Sequence, residues 1–413
     1  MSPPLLPTHE SYLVIGGGTS LGELIVEQLL RRGETRVTIF DAQALIAEQT
    51  ARFGNNVSVY VGDILVPESI ADAVKSCEAT CIIHTGMVAT AIDTEARYFA
   101  SYSPSQTPDG EKNKLNELMA IHKKVNTQGT RHVLAAALEH DAAMKLVYVG
   151  NANVVFDGED HPMLREVDAQ QPAKCWDERH EAQSHAERMV LSFNGLNELR
   201  TAVIRPATVF GPGFAQGLLL LKIRTQPGIV GLQIGENPNL IDRTFVANAA
   251  HAAILAADRL TPTHPQHSAT AGKAFFITDG APRPFWDFPR SLWAAAGGPG
   301  AVPTIIGKGT MMFIAAAKDM VGNLRGKKAD TWKTARLMCA TRTYDISLAR
   351  EVLGYVPIVS HDEGIRRTAE WWLEQQLRAC KEKRAITDTS TDDELPAYRR
   401  EEVSWLTEKS PFF

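Results

Sequence analysis

No apolar run in the 413-residue sequence is long enough to span a membrane; the longest candidate, Met311 to Ala317, falls far short of the roughly 20 residues a spanning helix needs. That excludes a transmembrane segment and leaves a short buried helix or, at most, peripheral contact with a membrane surface. Cysteine is scarce. Cys77, Cys81, Cys175, Cys339 and Cys380 are odd in number and scattered, with neither a Cys-x-x-Cys pair nor a zinc-spaced cluster, which argues against a disulfide framework and a structural metal. Charge of one sign is not in excess either. Lys plus Arg number 43 against 48 Asp plus Glu, so no global field invites a nucleic-acid backbone. Met1 to Glu10 has no basic region followed by an apolar one, as a signal or transit peptide would, so the expected location is cytoplasmic, with an internal membrane surface as the peripheral alternative.

What is present is the composition of a globular protein, 44% hydrophobic and 22% charged. Single cores stop growing at about 250–300 residues, so two lobes are expected. The first half alternates short, apolar, β-branched runs with helical patterns. Tyr12 to Ile15, Arg36 to Phe40, Val57 to Val61, Thr80 to His84, Lys145 to Val149 and Leu199 to Ile204 read as buried parallel strands. Leu21 to Arg32, Pro67 to Ser76, Lys114 to Glu139 and Asp177 to Phe193 read as the helices between them. This alternation predicts an α/β fold, a doubly wound parallel sheet over residues 10–210, followed by a smaller substrate domain over 211–375 with some return of the chain to the first lobe. A charged extension occupies 376–413, and Ile92 to Asn113 reads as a long inserted loop.

The first strand runs into Gly16-Gly17-Gly18-Thr19-Ser20-Leu21-Gly22 and then a helix. Such a turn suits a phosphate, because backbone N–H groups at a helix N-terminus attract anions and absent side chains allow close approach. A tight turn without a ligand is the plain alternative. The second strand ends at Asp41, where a carboxylate would hydrogen-bond an adenosine ribose and repel a 2′-phosphate, favouring NAD over NADP; it could equally cap the helix that follows. Asp63, with Ile64 beside it at the end of the third strand, could likewise reach an adenine amine; alone Asp63 would be a turn residue. The cofactor-contact set is therefore Gly16, Gly17, Thr19, Leu21, Gly22, Asp41, Asp63 and Ile64.

These pieces, with Val125-Asn126-Thr127-Gln128-Gly129-Thr130, Arg205-Pro206-Ala207-Thr208-Val209-Phe210-Gly211-Pro212-Gly213, Gln233-Ile234-Gly235-Glu236-Asn237, Ala274-Phe275-Phe276-Ile277-Thr278 and Leu353-Gly354-Tyr355, resemble the extended short-chain dehydrogenases/reductases, and among them the 3β-hydroxysteroid dehydrogenase branch. The resemblance implies an extended Rossmann domain, NAD(P)-dependent oxidation of a secondary alcohol on a sterol or similar polycycle, and pairing into a homodimer. It places the central glycine of the family's Gly-x-x-Gly-x-x-Gly loop on Thr19, where a β-branched side chain is expected to weaken dinucleotide binding.

The family's chemistry implies a Ser, a Tyr and a Lys four residues after it, one helical turn apart. By the match these fall on Asn151, Arg179 and Gln183, and no Tyr-x-x-x-Lys occurs anywhere in the chain. Three readings stay open: a dehydrogenase with a different proton-transfer apparatus, a non-redox isomerase or lyase, and a ligand-binding protein without turnover. In the second, Asn151 and Arg179 would stabilise an oxyanion while His180 or Asp177 moves a proton; a solvated helix face is the plain reading of Arg179 and His180. Cys175 reads as a packed cysteine and His84 as structural.

Overall fold

A computed structural model describes residues 6–42, 44–45, 47–85, 123–140, 144–172, 175–176, 178–214, 232–298, 303–324 and 331–387. The inserted segment Ile92 to Asn113, Asp177 and the tail from residue 388 lie outside them.

Seven parallel strands form the central sheet. β1 (Tyr12–Ile15), β2 (Val37–Asp41), β3 (Ser58–Val61), β4 (Cys81–His84) and β5 (Lys145–Val149) are joined by Arg200–Pro206 and Lys273–Ile277 in the order Lys273–Ile277, Arg200–Pro206, β5, β4, β1, β2, β3. The order reverses between β1 and β4, and that switch point is where the crevice of a doubly wound fold opens. Alternation explains the layers. In β1, Tyr12 and Val14 point into one apolar core and Leu13 and Ile15 into the other, and all four are buried because helices cover both faces. The Ser20–Arg32 and Val246–Arg259 helices pack together on the first face, and Pro67–Ser76, Thr130–Glu139 and Glu178–Ser192 cover the second.

A separate four-stranded sheet is ordered Arg283–Pro284, Leu240–Ile241, Arg342–Tyr344, His161–Leu164. The last of these strands comes from between β5 and the Glu178–Ser192 helix. A small apolar core of Ile234, Trp286, Met311, Ala315, Ala335 and Met338 lies beneath the Lys308–Leu324 and Thr331–Cys339 helices. Met311 to Ala317 is thus not a two-turn buried segment but part of a 17-residue helix. Only one side of that helix is covered: Met311 and Ala315 are buried while Phe313 and Ile314 are exposed. Similarly, the C-terminal helix continues past Arg378 to Thr387 before the charged tail begins. Among the described residues no helix is long and apolar enough to cross a membrane.

Candidate functional site

The glycine-rich turn sits at the carboxyl end of β1, against the switch point. Gly16 has φ +75°, and a Cβ there would come within 2.5 Å of Thr85 Oγ1, just past β4. A Cβ on Gly22 would stand 2.1 Å from the Gly16 carbonyl oxygen, so only glycine lets the first helical turn seat on the loop. At Gly17 it would meet Ile39 at 2.7 Å. These absent side chains bring backbone close to the place a phosphate would take.

Thr19 takes its place in the loop as a helix cap. Its backbone is ordinary extended chain (φ −79°, ψ 159°), and its side chain is turned back into the loop as the N-cap of the helix. The hydroxyl donates to the Gly16 carbonyl (2.7 Å) and accepts from the Gly22 N–H (3.1 Å). The β-branched group therefore does not strain the backbone; it takes up one of the first-turn N–H groups. Asp41, partly exposed at the end of β2, accepts from the Gly18 N–H at 3.0 Å. Leu21 is buried in the core beneath the loop, so its contribution toward a ligand is confined to its backbone. Asp63 is exposed and accepts from the Leu65 N–H (2.8 Å), fixing the turn after β3. Ile64 packs against the face of Gly129, and its carbonyl is 2.9 Å from the His132 ring. The glycine cradle and the acidic residue at the end of β2 fit a dinucleotide, with a loop that already uses two of its own N–H donors.

Two strands away, Asn151 follows β5 and opens a short turn, Ala152–Val155, by accepting from the Asn153 N–H at 2.8 Å. The Glu178–Ser192 helix packs on this turn and on the π-helical Val125–Gly129. Arg179 lies in the first turn of that helix; its side chain is outside the described residues. His180, Gln183, Ser184 and Glu187 are all buried, so the expected solvated face is corrected for His180, which is 2% exposed. Their spacing of three and four makes one polar stripe facing inward. Gln183 Oε1 is buried without a hydrogen-bond partner among the described residues.

An ion pair that the sequence reading did not anticipate holds this stripe. Arg205 Nε donates to both Glu187 carboxylate oxygens at 3.1 Å, and its terminal nitrogen donates to the same carboxylate. Gln171 also donates to Glu187 and accepts from the Ser184 hydroxyl (2.7 Å). The signal was present as the arginine of Arg205-Pro206, but its partner lies on a helix too polar to suggest a buried face. Behind the site, His84 Nε2 is 3.1 Å from Thr130 Oγ1 and the ring stands edge-on to Tyr148. Burial lowers the His84 pKa to about 4 and pushes the Tyr148 phenol up, with Glu187 adding to the latter. Tyr148 points into the core of the second face. Cys175 is buried with Sγ 3.7 Å from the Val154 carbonyl, a packed cysteine as expected.

The loop after Thr208–Phe210 also reaches the cradle. A Cβ on Gly213 (φ +79°) would come within 1.8 Å of Ser20 Oγ, at the first residue of the helix. With these positions set, the comparisons with known proteins are informative. A model of the 3-beta hydroxysteroid dehydrogenase/isomerase family matches residues 112–304, and one of the KR domain matches residues 10–137. Sterol-4-alpha-carboxylate 3-dehydrogenase, decarboxylating, of Schizosaccharomyces pombe is 33% identical over 370 residues, covering 87% of this chain and 97% of that one. The chain belongs to the 3-beta hydroxysteroid dehydrogenase/isomerase family. The Mus musculus protein of the same name is 30% identical, over 86% of this chain and 89% of its own. At the level of fold, dTDP-glucose 4,6-dehydratase of Bacillus anthracis, solved in complex with NAD, superposes with a TM-score of 0.60 at 14% identity, covering 89% of this chain and 97% of that one.

Proposed function

We propose that the chain is an NAD-dependent oxidoreductase acting on a polycyclic, sterol-type alcohol or ketone, with a proton-transfer apparatus unlike that of its family. The observation that carries this reading is that similarity to the fungal and mouse sterol-4-alpha-carboxylate 3-dehydrogenases covers 87% and 86% of this chain. Gly16, Gly17, Gly22 and the backbone of Thr19 and Leu21 would hold the pyrophosphate, Asp41 the adenosine ribose, and Asp63 and Ile64 the adenine. NAD, when bound, supplies hydride acceptance. On the protein side, Asn151 can donate an amide N–H to the substrate oxygen, and Arg179 contributes a fixed positive charge where the family has its phenol. Gln183 in the lysine position removes a cation that would anchor the cofactor ribose and lower a neighbouring pKa.

A second reading, a ligand-binding protein without turnover, is favoured by one feature: the Asn151 amide oxygen is committed to its own turn and Gln183 Oε1 has no partner among the described residues. The two are separated by titrating the purified protein with NADH, following fluorescence and melting temperature, and then assaying 3-hydroxy and 3-keto polycycles. Binding with turnover supports the first reading, and binding without turnover the second. No response at millimolar NADH overturns the dinucleotide assignment. The triple variant Asn151→Ser, Arg179→Tyr, Gln183→Lys should raise dehydrogenase turnover by about 10²–10⁴, the usual worth of a positioned acid/base.

A further inference from the structure

The two edges of the central sheet are finished differently. At one edge the Lys273–Ile277 strand has an outward N–H covered from within the chain: Phe276 donates to the Glu166 carboxylate at 2.7 Å. A charged group placed against an edge is one of the devices by which proteins stop a sheet from growing. At the other edge, β3 pairs with β2 alone among the described residues. None of those devices is found there. No charged residue lies between Arg52 and Asp63, the run Val57-Ser58-Val59-Tyr60-Val61 has neither proline nor lysine, and its register with β2 passes from Ser58 to Val61 without a bulge. Valine and tyrosine are strong strand formers. Val59 is 42% exposed and Val61 54%, while Tyr60 stacks on Phe40 at 5.7 Å and holds the strand in place.

The ladder determines which backbone groups point outward. Alternate residues of a strand turn their N–H and C=O groups to opposite sides. Gly62 donates to the Asp41 carbonyl of β2 at 2.9 Å, so Ser58 and Tyr60 also face β2, and Val57, Val59 and Val61 direct both groups away from it. We propose that this edge pairs with the same edge of a second copy of the chain, antiparallel about a two-fold axis at Val59, joining the two sheets into one. The run is self-complementary in that register. Val59 faces Val59 of the partner subunit and Val57 faces the partner's Val61, and each such pair exchanges two N–H···O bonds. The valines of both strands then lie side by side on one face and cover each other. Beyond the ladder the exposed turn at Asn55 and Asn56 meets the partner's Asp63, an amide against a carboxylate rather than charge against like charge. An extended peptide would gain the same backbone bonds, but only a second copy repeats the match on both sides of the axis. So short a contact is smaller than the roughly 1,600 Å² of a standard stable interface, and the pairing is reversible, with half-association on the order of 100 µM.

The test is sedimentation velocity of the full chain, without cofactor, from about 1 to 500 µM, a range that brackets the weak association of so short a contact, with backbone hydrogen exchange at both ends of the range. The weight-average mass rises from monomer toward dimer. Exchange at Val57, Val59 and Val61 slows about threefold or more with concentration, whereas Ser58 and Tyr60, already bonded to β2, exchange at one rate throughout. Val59→Lys sets like charges against each other on the axis and weakens association at least about tenfold; the position is half-exposed, so the melting temperature stays close to that of the wild type. Phe313→Asp, at an exposed position on the Lys308–Leu324 helix, leaves association unchanged. The proposal is overturned if the wild type stays monomeric to the highest concentration, or if folded Val59→Lys associates as tightly as the wild type. It is equally overturned if the mass rises while exchange at the three valines does not change, which would place the contact on another surface. Should Val59→Lys fail to fold, the exchange pattern of the wild type decides alone. Neither NADH nor turnover enters the experiment, so its outcome is independent of the functional reading above.

Discussion

The two ends of the ligand crevice have fared differently. At the β1 end the cradle keeps Gly16, Gly17 and Gly22, each where a Cβ would collide with backbone or a packed side chain, and it absorbs Thr19 without strain because that residue caps the helix. Around the end of β5, Asn151, Arg179 and Gln183, which the sequence resemblance assigns to the family's Ser, Tyr and Lys, sit on a turn and a helix that are regularly formed. The difference lies in what each end is made of. A phosphate cradle is backbone, so its glycines are also structural, and changing one damages the packing of helix on strand. Catalytic groups sit at the tips of side chains, and here the helix that bears them is held by different residues, Glu187 and Arg205, together with Gln171 and Ser184. Scaffold and chemistry are separable at the second end and inseparable at the first.

Removing the polar clamp should show this most strongly. Glu187→Gln leaves the Arg205 guanidinium buried without its counter-charge, a change that costs about 3–5 kcal/mol, a large share of a typical domain's stability of about 5–15 kcal/mol. Denaturant midpoints would register it. The pair Glu187→Met, Arg205→Met should be much milder, since replacing both partners of a buried pair by apolar groups is often near neutral. If the single change proves silent, the helix is held by something else and the proposed separation fails.

His84 lies behind both ends and gives a pH-dependent measure of their shared foundation. Its folded pKa, near 4, is below the usual value for histidine because burial disfavours the charged ring. Between pH 6.5 and 4 the unfolded chain therefore binds a proton that the folded one does not, and stability falls as the pH falls through that window. The contribution reaches about 3 kcal/mol by pH 4. His84→Phe should remove that part of the decline, leaving whatever other histidines such as the half-buried His251 contribute. Parallel curves for the two proteins would mean that His84 is not kept neutral by the core.

Next in size is Gly22→Ala. The added methyl would lie 2.1 Å from the Gly16 carbonyl oxygen, and overpacking of this kind costs about 1–3 kcal/mol. NADH binding and melting temperature should fall together, because the same contact seats the helix and shapes the cradle. Asn151→Ala removes only a turn cap, worth about 1 kcal/mol, and should leave NADH binding intact. Equal losses of binding in the two variants would erase the contrast between the ends.

Much of the fold was legible in the sequence because both faces of the sheet are buried. Such strands appear as short apolar runs, and Pro67–Ser76 is bounded by its own proline and the end of its pattern, to the residue. What escaped notice has identifiable causes. The Lys273–Ile277 strand joins the central sheet beside Arg200–Pro206, a pairing between distant segments that local pattern does not report. Met311 to Ala317 looked short because Lys318 and Asp319 end the apolar run, while the helix continues through them to Leu324. His180, Gln183, Ser184 and Glu187 read as a solvated face because polar groups usually are; the partner that buries Glu187 is 18 residues further on.

Thr19 is the instructive case, and it carries the smallest prediction. As an entry in a glycine motif it is a defect, but as a threonine immediately before a helix it is a preferred N-cap. Both descriptions hold, and they act on different quantities. Thr19→Gly should cost only a few tenths of a kcal/mol in stability, since glycine is a tolerable cap, while it releases the Gly22 N–H from the threonine hydroxyl and clears the path to the pyrophosphate. NADH affinity should therefore rise several-fold as melting temperature slips slightly. If affinity stays flat, the hydroxyl was not competing with the phosphate, and the cradle works equally well with either residue. If affinity falls, the threonine orders the loop for its ligand, and the departure from the family's glycine pattern is an adaptation at the end of the crevice that otherwise looks unchanged.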